Sequence, residues 1–159
     1  GISKYPKEAT EFAYKYLAER DVHCLLYQGK YNLFNREPEE EGILRQAKEN
    51  GTGFIAFSPL AQGLLTNRYL NGIPEDSRMA RGGFLKKEQL TEDVLSKIKA
   101  LNKMAEERGQ TLAEMALAWV LKDDLVTSVI IGASSVAQLE DNLKAIRNTS
   151  FTKEELRRL

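Results

Sequence analysis

Residues 22–57 read "VHCLLYQGKYNLFNREPEEEGILRQAKENGTGFIAF" and contain the signals of a strand, a helix and a second strand in succession. The run "VHCLLYQ" (22–28) is almost continuously apolar, which is typical of a strand covered on both faces. The segment "PEEEGILRQAKENG" (38–51) has helical spacing, acidic residues in its first turn and Gly51 at its C-terminal cap. The inward positions of this helix are Ile43, Leu44 and Ala47. Because the apolar run "FIAF" (54–57) follows, the stretch predicts two parallel strands joined by a right-handed crossover.

The same alternation continues on both sides of this unit. After the opening "GIS", a helix that begins at Pro6 carries an apolar stripe on one face as far as Leu17. The later predicted elements are a helix from Thr91 to Gly109, a helix "LAEMALAWVLK" (112–122) started by a Thr111–Glu114 capping box, a strand "VTSVIIG" (126–132), a helix capped by Ser135 and Gln138 that carries Leu139, Leu143 and Ile146, and a short helix started by Thr152 and Glu155.

Apolar strands that alternate with helices indicate an α/β fold with about four parallel strands and their helices. The pattern alone leaves open a doubly wound sheet and one half of a (β/α)8 barrel, because a closed barrel needs about 250 residues and this chain has 159. The opening "GIS" looks like the tail of a strand, and the last helix has barely two turns. We therefore expect residues 1–159 to be a single partial domain that is truncated at both ends.

The charge balance and the cysteine content exclude several classes of partner. Lys plus Arg and Asp plus Glu both number 23, so no global field attracts nucleic acid or anionic lipid. The longest apolar runs cover only a few residues, too few to span a bilayer. The single cysteine, Cys24, excludes an internal disulfide and fits a reducing compartment. We expect a cytoplasmic protein with no nucleic-acid partner and no membrane partner.

Ligands of parallel α/β folds collect at the carboxyl ends of the strands. In this sequence those ends are Ser3-Lys4-Tyr5, Gln28-Gly29-Lys30, Phe57-Ser58-Pro59 and Gly132-Ala133-Ser134-Ser135. They contain amide, hydroxyl, aromatic and backbone groups, but no nucleophile with a base, no metal-ligand cluster and no pair of carboxylates. We therefore predict no catalytic residue and no metal site in this chain, and a site that binds a polar cofactor.

Two segments could bind the phosphates of such a cofactor. In "GASSVAQLEDN" (132–142) a strand ends and a helix starts at once, so its free N–H groups form an anion site. Side chains on its first turns could reach a ribose or an adenine edge: Gln138, Asp141 and Asn142. The long loop after Phe57 carries Arg68 and Arg78, whose guanidinium groups could bind phosphate. Each feature also has an explanation that needs no ligand. The segment 132–142 would then be an ordinary capped helix, Arg68 and Arg78 would be solvated surface residues, and Phe57 would be a core side chain.

Four motifs carry a resemblance to a known family: "GIS-Y" at a strand end, "Q--YNLFNRE", "AFSPLAQGLLTNRYLNGIPEDSR" and "IIGASSVAQLEDN". Together they resemble the C-terminal half of the aldo-keto reductases, in order and spacing over essentially the whole chain. The similarity is with the bacterial branch that includes L-glyceraldehyde 3-phosphate reductases and is related to potassium-channel beta subunits. It implies that the chain supplies strands five to eight of a (β/α)8 TIM barrel, which binds NADP(H) without a Rossmann domain.

The resemblance also implies roles for individual residues. Ser3 and Gln28 would bind the nicotinamide carboxamide, whereas Lys4 occupies the place of an Asn in the family. Phe57 would stack on the nicotinamide ring. The remaining implied contacts are Ser58, Pro59, Leu60 and Gly63 along the pyrophosphate, Arg68 and Arg78 near the phosphates, and the Gly132 turn with Ser134, Gln138, Asp141 and Asn142 at the adenosine end.

The catalytic Asp, Tyr, Lys and His of the family come from the first half of the barrel. The resemblance therefore implies the NADP(H)-binding half of an enzyme that reduces small aldehydes by hydride transfer, without the catalytic tetrad. The alternatives are a non-catalytic NADP(H) sensor or partner-binding module, and a generic phosphate-binding α/β domain. A half-barrel leaves sheet edges open, so we also expect a homo-oligomer or pairing with the missing half.

Overall fold

Four parallel strands form one sheet in the computed structural model of the chain, in the order β1-β2-β3-β4. The structure describes residues 1–75, 77, 79–80, 82 and 85–159. The strands are β1 (Ile2–Ser3), β2 (Leu26–Lys30), β3 (Gly53–Phe57) and β4 (Ser128–Ile130). Each neighbouring pair is parallel, so the predicted α/β class with about four parallel strands is confirmed.

The helices in the described part of the chain lie between and after these strands. They are α1 (Lys7–Ala18), α2 (Glu37–Glu40), α3 (Ile43–Glu49), α4 (Glu92–Glu107), α5 (Leu112–Val120), α6 (Val136–Leu143) and α7 (Lys153–Arg158). A hydroxyl fixes the start of the last four, because Thr91, Thr111, Ser135 and Thr152 each accept a hydrogen bond from the backbone N–H three residues later. Thr111 and Thr152 complete full capping boxes with Glu114 and Glu155, as the sequence predicted.

Glycine ends two of the helices in the way that the sequence indicated. Gly51, with φ of 64°, donates to the carbonyl of Lys48 at 3.1 Å, and Thr52 donates to that of Ala47 at 2.9 Å. This is the Schellman arrangement, which needs a left-handed residue just after the helix. Gly109 ends α4 with the same pair of hydrogen bonds.

The apolar core lies on one face of the sheet and continues under the long loop. All nine residues of α5 are buried, and Trp119 packs with Tyr27, Phe54 and Ala56 of the strands. The predicted inward residues of α3 are also buried: Ile43, Leu44 and Ala47. A second cluster joins the loop residues Leu64, Tyr69, Met79 and Leu85 to α4 and α5. The loop after β3 is therefore anchored by its own side chains.

Several predicted element boundaries were wrong. The strand predicted over 22–28 is β2, Leu26–Lys30, because its partners on β3 begin at Gly53 opposite Leu26. The strand predicted over 126–132 pairs only over Ser128–Ile130. The helix predicted over 38–51 is divided into α2 and α3 at Gly42, whose φ of 79° is left-handed. Strand length depends on where the neighbouring strand offers partners, which an apolar run does not show.

Apolar side chains remain exposed on the helices that follow the two edge strands. On α1 the buried residues are Thr10 and Tyr14, whereas Phe12 of the apolar stripe is 69% exposed. The 3-10 turn Lys144–Arg147 extends α6. Four apolar residues are exposed there: Val136, Leu139, Leu143 and Ile146. None of the helices that the structure describes is long and apolar enough to cross a membrane.

Candidate functional site

The sheet has one face covered by helices and one open face. Tyr27, Phe54 and Ala56 are buried against the helices, and side chains alternate between the two faces of a strand. The open face therefore carries two rows of residues that are paired across neighbouring strands. The first row is Ser3, Gln28, Ile55 and Ser128, and the second, nearer the carboxyl ends, is Lys30, Phe57 and Ile130. The predicted residues Ser3, Gln28 and Phe57 thus share this face, at the carboxyl ends of adjacent strands.

Lys4 also lies next to Phe57. Its backbone N–H donates to the carbonyl of Gln28 at 3.1 Å, and its φ of 57° is left-handed. The ammonium nitrogen lies 5.3 Å from the centroid of the Phe57 ring, within the range of a cation–π contact. Lys4, at the place where the resemblance implies an Asn, thus puts a cation over the ring that is expected to stack on the cofactor.

The backbone just after β3 is fixed by a residue that our sequence reasoning did not select. Ser58 has a left-handed φ of 51°, and its carbonyl accepts a hydrogen bond from Nδ2 of Asn32 at 2.9 Å. Asn32 is fully buried, and its Oδ1 accepts from the N–H of Phe34. The available signal was its place in the loop after β2, at the same edge of the sheet as Ser58. Left-handed non-glycine residues recur nearby at Ala61 and Gln62, and such residues cluster at functional sites.

The predicted pyrophosphate loop has a defined internal structure. The carbonyl of Leu60 accepts from the N–H groups of Gly63 at 2.8 Å and Leu65 at 3.2 Å. Gly63 has φ of 103°, a conformation that favours glycine. The Thr66 hydroxyl donates to the carbonyl of Gly63 at 2.7 Å. Pro59 is buried, whereas Ser58, Leu60 and Gly63 are partly exposed. Pro59 thus supports the loop from within.

One of the two predicted phosphate-binding arginines, Arg68, lies in the described part of the chain. Arg68 is exposed on the 3-10 turn Asn67–Tyr69, and its backbone N–H donates to the Thr66 hydroxyl at 3.2 Å. Arg78 lies outside the described residues. The structure therefore gives a position for one cation of the pair.

The turn after β4 begins at the same edge of the sheet, because Ile130 is opposite Phe57. Gly132 and Ser134 are exposed. Oε1 of Gln138 accepts from the backbone N–H of Ser134 at 2.7 Å and from its hydroxyl at 3.0 Å. The Ser135 hydroxyl accepts from the N–H of Gln138 at 3.2 Å. Two of the groups expected to face a ligand are thus hydrogen-bonded to each other.

The last two predicted adenosine contacts lie further along α6. Asp141 accepts a hydrogen bond from Lys144 at 3.1 Å. Asn142 is 4% exposed, and its Nδ2 has no hydrogen-bond partner. A buried amide without a partner is costly, so the Asn142 amide has a buried donor that a ligand at this end of the site could use.

Tyrosines near the strand ends are engaged in the core. The Tyr27 hydroxyl donates to the carbonyl of Tyr5 at 2.6 Å. The Tyr31 hydroxyl donates to Glu39 at 3.0 Å and accepts from Lys122 at 3.0 Å. Burial raises the pKa of both phenols, and for Tyr31 the neighbouring Glu39 carboxylate raises the pKa further. Among the described residues, no group of three or more His, Cys, Asp and Glu side chains could bind a metal ion.

The fold and these motifs define a class of protein, and comparison with known proteins agrees with them. The chain belongs to the aldo/keto reductase family, whose family model matches residues 1–159. It is similar to the L-glyceraldehyde 3-phosphate reductase of Escherichia coli (strain K12), with 51% identity over 160 residues that cover 98% of this chain and 46% of the relative. It is also similar to a probable voltage-gated potassium channel subunit beta of Arabidopsis thaliana, with 40% identity over 128 residues, 79% of this chain and 39% of the relative.

A solved structure resembles this chain over almost its whole length. The crystal structure of the thermostable aldo-keto reductase Tm1743 in complex with the inhibitor epalrestat matches with a TM-score of 0.68 and 25% identity. The match covers 99% of this chain and 45% of that one. The chain therefore has the fold of about half of an aldo-keto reductase TIM barrel, and it spans about half the length of the curated relatives it matches. The half-barrel prediction is confirmed over the open doubly wound sheet.

Proposed function

We propose that this chain is the NADP(H)-binding half of an aldo-keto reductase that reduces small aldehydes by hydride transfer. The observation that carries the proposal is the shared open face of Ser3, Gln28 and Phe57 at the carboxyl ends of β1, β2 and β3. Family membership and the similarity to an L-glyceraldehyde 3-phosphate reductase support it.

The groups on this face fit a nicotinamide. The Gln28 amide offers both a donor and an acceptor, and the Ser3 hydroxyl offers the same in a smaller group. Together they complement a carboxamide, while the Phe57 ring offers a flat apolar surface for stacking. Ser58, Leu60 and Gly63 are partly exposed and Ser134 is exposed. They follow β3 and β4 at the edge where Phe57 pairs with Ile130, and the phosphates would bind there.

These residues would bind and orient the cofactor, which supplies the hydride when bound. Proton donation to the product needs an acid near the open face. Tyr27 and Tyr31 are poor candidates, because their hydroxyls are hydrogen-bonded in the core and their pKa values are raised. We therefore assign the proton donor to the first half of the barrel, in keeping with the resemblance.

The open flanks of the half-barrel support pairing with further strands. β1 and β4 are the edge strands of the sheet, and exposed apolar residues lie on α1 and α6, the helices that follow them. Parallel strands with unpaired edges recruit partners. We infer a partial domain that is completed by a missing half of the barrel or by a second copy. The buried free thiol of Cys24 suits a reducing, cytoplasmic compartment.

A second candidate is a non-catalytic NADP(H) sensor or partner-binding module. The similarity to a probable potassium channel subunit beta favours it. Binding of NADPH by the intact protein, without reduction of any aldehyde, would support this alternative. A generic phosphate-binding domain would instead bind inorganic phosphate as tightly as NADPH.

The proposal is tested by titrating NADPH into the intact protein and into two matched variants. Phe57→Leu removes the stacking ring, which contributes about 0.5–1.5 kcal/mol, so we expect the Kd to rise roughly 2- to 13-fold. Phe12→Leu alters an exposed ring on α1, away from the open face, and should leave the Kd unchanged. Equal effects of the two variants would refute the role of Phe57.

Turnover separates the cofactor-binding half from a complete enzyme. NADPH oxidation with glyceraldehyde 3-phosphate should be absent for residues 1–159 alone. It should be present in a longer chain that includes the first four strands of the barrel. Robust turnover by residues 1–159 would show that the acid lies within them and would overturn the assignment.

A further inference from the structure

Lys4 departs from the alternation that the rest of its strand follows. Its N–H continues the hydrogen-bond ladder to Gln28, so a regular strand would direct its side chain to the face opposite Ser3. That is the face where Ala56 is buried against the helices. Lys4 instead has a left-handed φ of 57°, and its ammonium group lies on the open face, 5.3 Å from the centre of the Phe57 ring.

This placement uses an unfavourable backbone conformation. A left-handed residue with a side chain clashes with its own carbonyl, and lysine has no short polar group to compensate. Ser58, directly after Phe57, is left-handed as well. Phe57 is therefore followed in the chain by one strained residue, and a second, Lys4, places a positive charge over its ring. Such strain persists only where the surrounding structure imposes it.

We propose that Lys4 makes the site discriminate between the two redox states of the cofactor, favouring NADPH over NADP⁺. The inference rests on the proposed function, in which the nicotinamide stacks on Phe57. The nicotinamide ring is neutral in the reduced form and cationic in the oxidised form. A stacked ring displaces the ammonium group from the Phe57 face, but the side chain remains tethered at Lys4. Its charge therefore opposes a cationic ring and leaves a neutral ring unaffected.

Other charges near Lys4 set the size of the effect. Lys30 lies opposite Phe57 in the register and adds a second positive charge on the open face. Glu37 and Glu41 line the same cavity, of about 420 Å³, as Lys4 and Lys30, and they lower the net positive potential. Lys4 is exposed, so we take an effective dielectric constant between that of bulk water and about half of it. For two charges about 6 Å apart this gives roughly a 3- to 10-fold difference in affinity.

The test is the ratio of the NADP⁺ and NADPH dissociation constants, measured by calorimetry on the intact protein. Lys4→Met keeps the length of the side chain and removes its charge, so the ratio should fall roughly 3- to 10-fold through tighter NADP⁺ binding. Lys4→Arg keeps the charge and should keep the ratio. Lys99→Met changes an exposed lysine on α4 and should alter neither constant. High salt should bring the ratio of the two dissociation constants in the wild type closer to the ratio in Lys4→Met, because salt screens the Lys4 charge.

The outcomes separate this inference from the function on which it rests. If Lys4→Met leaves the ratio of the two dissociation constants unchanged, the inference is overturned while the proposed function stands. Equal changes of both constants would then mean that Lys4 only packs against the site. If the folded wild-type protein binds neither dinucleotide, the proposed function fails and the inference fails with it.

Discussion

Replacing Arg108 with alanine should lower the free energy of unfolding by about 2–4 kcal/mol. The Arg108 side chain is only 5% exposed and joins the end of α4 to the C-terminal segment. Its guanidinium group donates to Glu155 at 2.6 Å, to the carbonyl of Ser150 at 2.9 Å and to Gln110 at 2.8 Å. The same group lies 3.8 Å from the centre of the Phe151 ring.

The magnitude follows from what the substitution leaves behind. Removing one partner of a buried ion pair costs roughly 3–5 kcal/mol, because the other charge remains uncompensated. Glu155 is 21% exposed and still accepts from the Thr152 N–H at 2.6 Å, so we expect a smaller cost, of about 2–4 kcal/mol. With a urea m-value of about 2 kcal/mol/M for a chain of this size, the midpoint should move by roughly 1–2 M.

Arg158→Ala is the matched control for urea denaturation followed by circular dichroism. Arg158 also joins α7 to α4, through Glu107 at 2.9 Å, but both side chains are nearly half exposed. Exposed pairs contribute about 0–1 kcal/mol. If the two variants differ by less than about 1 kcal/mol, burial does not set the strength of the Arg108 contact, and the reasoning is refuted.

The pH dependence gives a second readout on Arg108. The backbone N–H of Thr152 is the main cause of a lowered Glu155 pKa, with a smaller contribution from Arg108. A lowered folded-state pKa means that the Glu155 contribution is fully present above its ordinary pKa of 4.5. It is lost as the pH falls through the folded-state value. The free energies of unfolding of the wild type and Arg108→Ala should therefore become more similar as the pH falls. A difference that stays constant with pH would contradict the charge-based account.

Two further predictions concern the strands and the buried tyrosines. In Gly29→Ala the new Cβ would lie 2.6 Å from Cζ of Phe54, which stacks on Tyr27, so we expect a loss of about 1–3 kcal/mol. The loss should shrink in a Phe54→Leu background, and an equal loss in both backgrounds would exclude the clash. Burial raises the pKa of Tyr14, Tyr27 and Tyr31, so stability should decline as the pH rises above the ordinary value of 10.0. Absorbance at alkaline pH should show these phenols ionising only with unfolding, and ionisation of all six tyrosines in the folded protein would contradict this.

Much of the candidate site could be predicted because its members occupy strand ends. Ser3, Gln28 and Phe57 were selected as the last residues of apolar runs, and the parallel register brings them to one face. Asn32 was missed because its role depends on the Ser58 carbonyl, 26 positions later in the chain. The sequence also gave no sign that Lys4 is left-handed, since lysine has no preference for that conformation.

What the sequence determined by itself is local. Thr111 and Glu114 cap a helix because both partners lie within one turn, and Gly51 ends a helix because it adopts a positive φ at little cost. The alternation of strands and helices likewise follows from short-range periodicity. The tertiary structure alone decided that β2 begins at Leu26, that Phe12 remains exposed on α1 and that the Lys4 ammonium group lies over Phe57. The physical reason is that strand pairing, burial and the direction of a side chain depend on residues distant in the chain, whose positions the fold supplies.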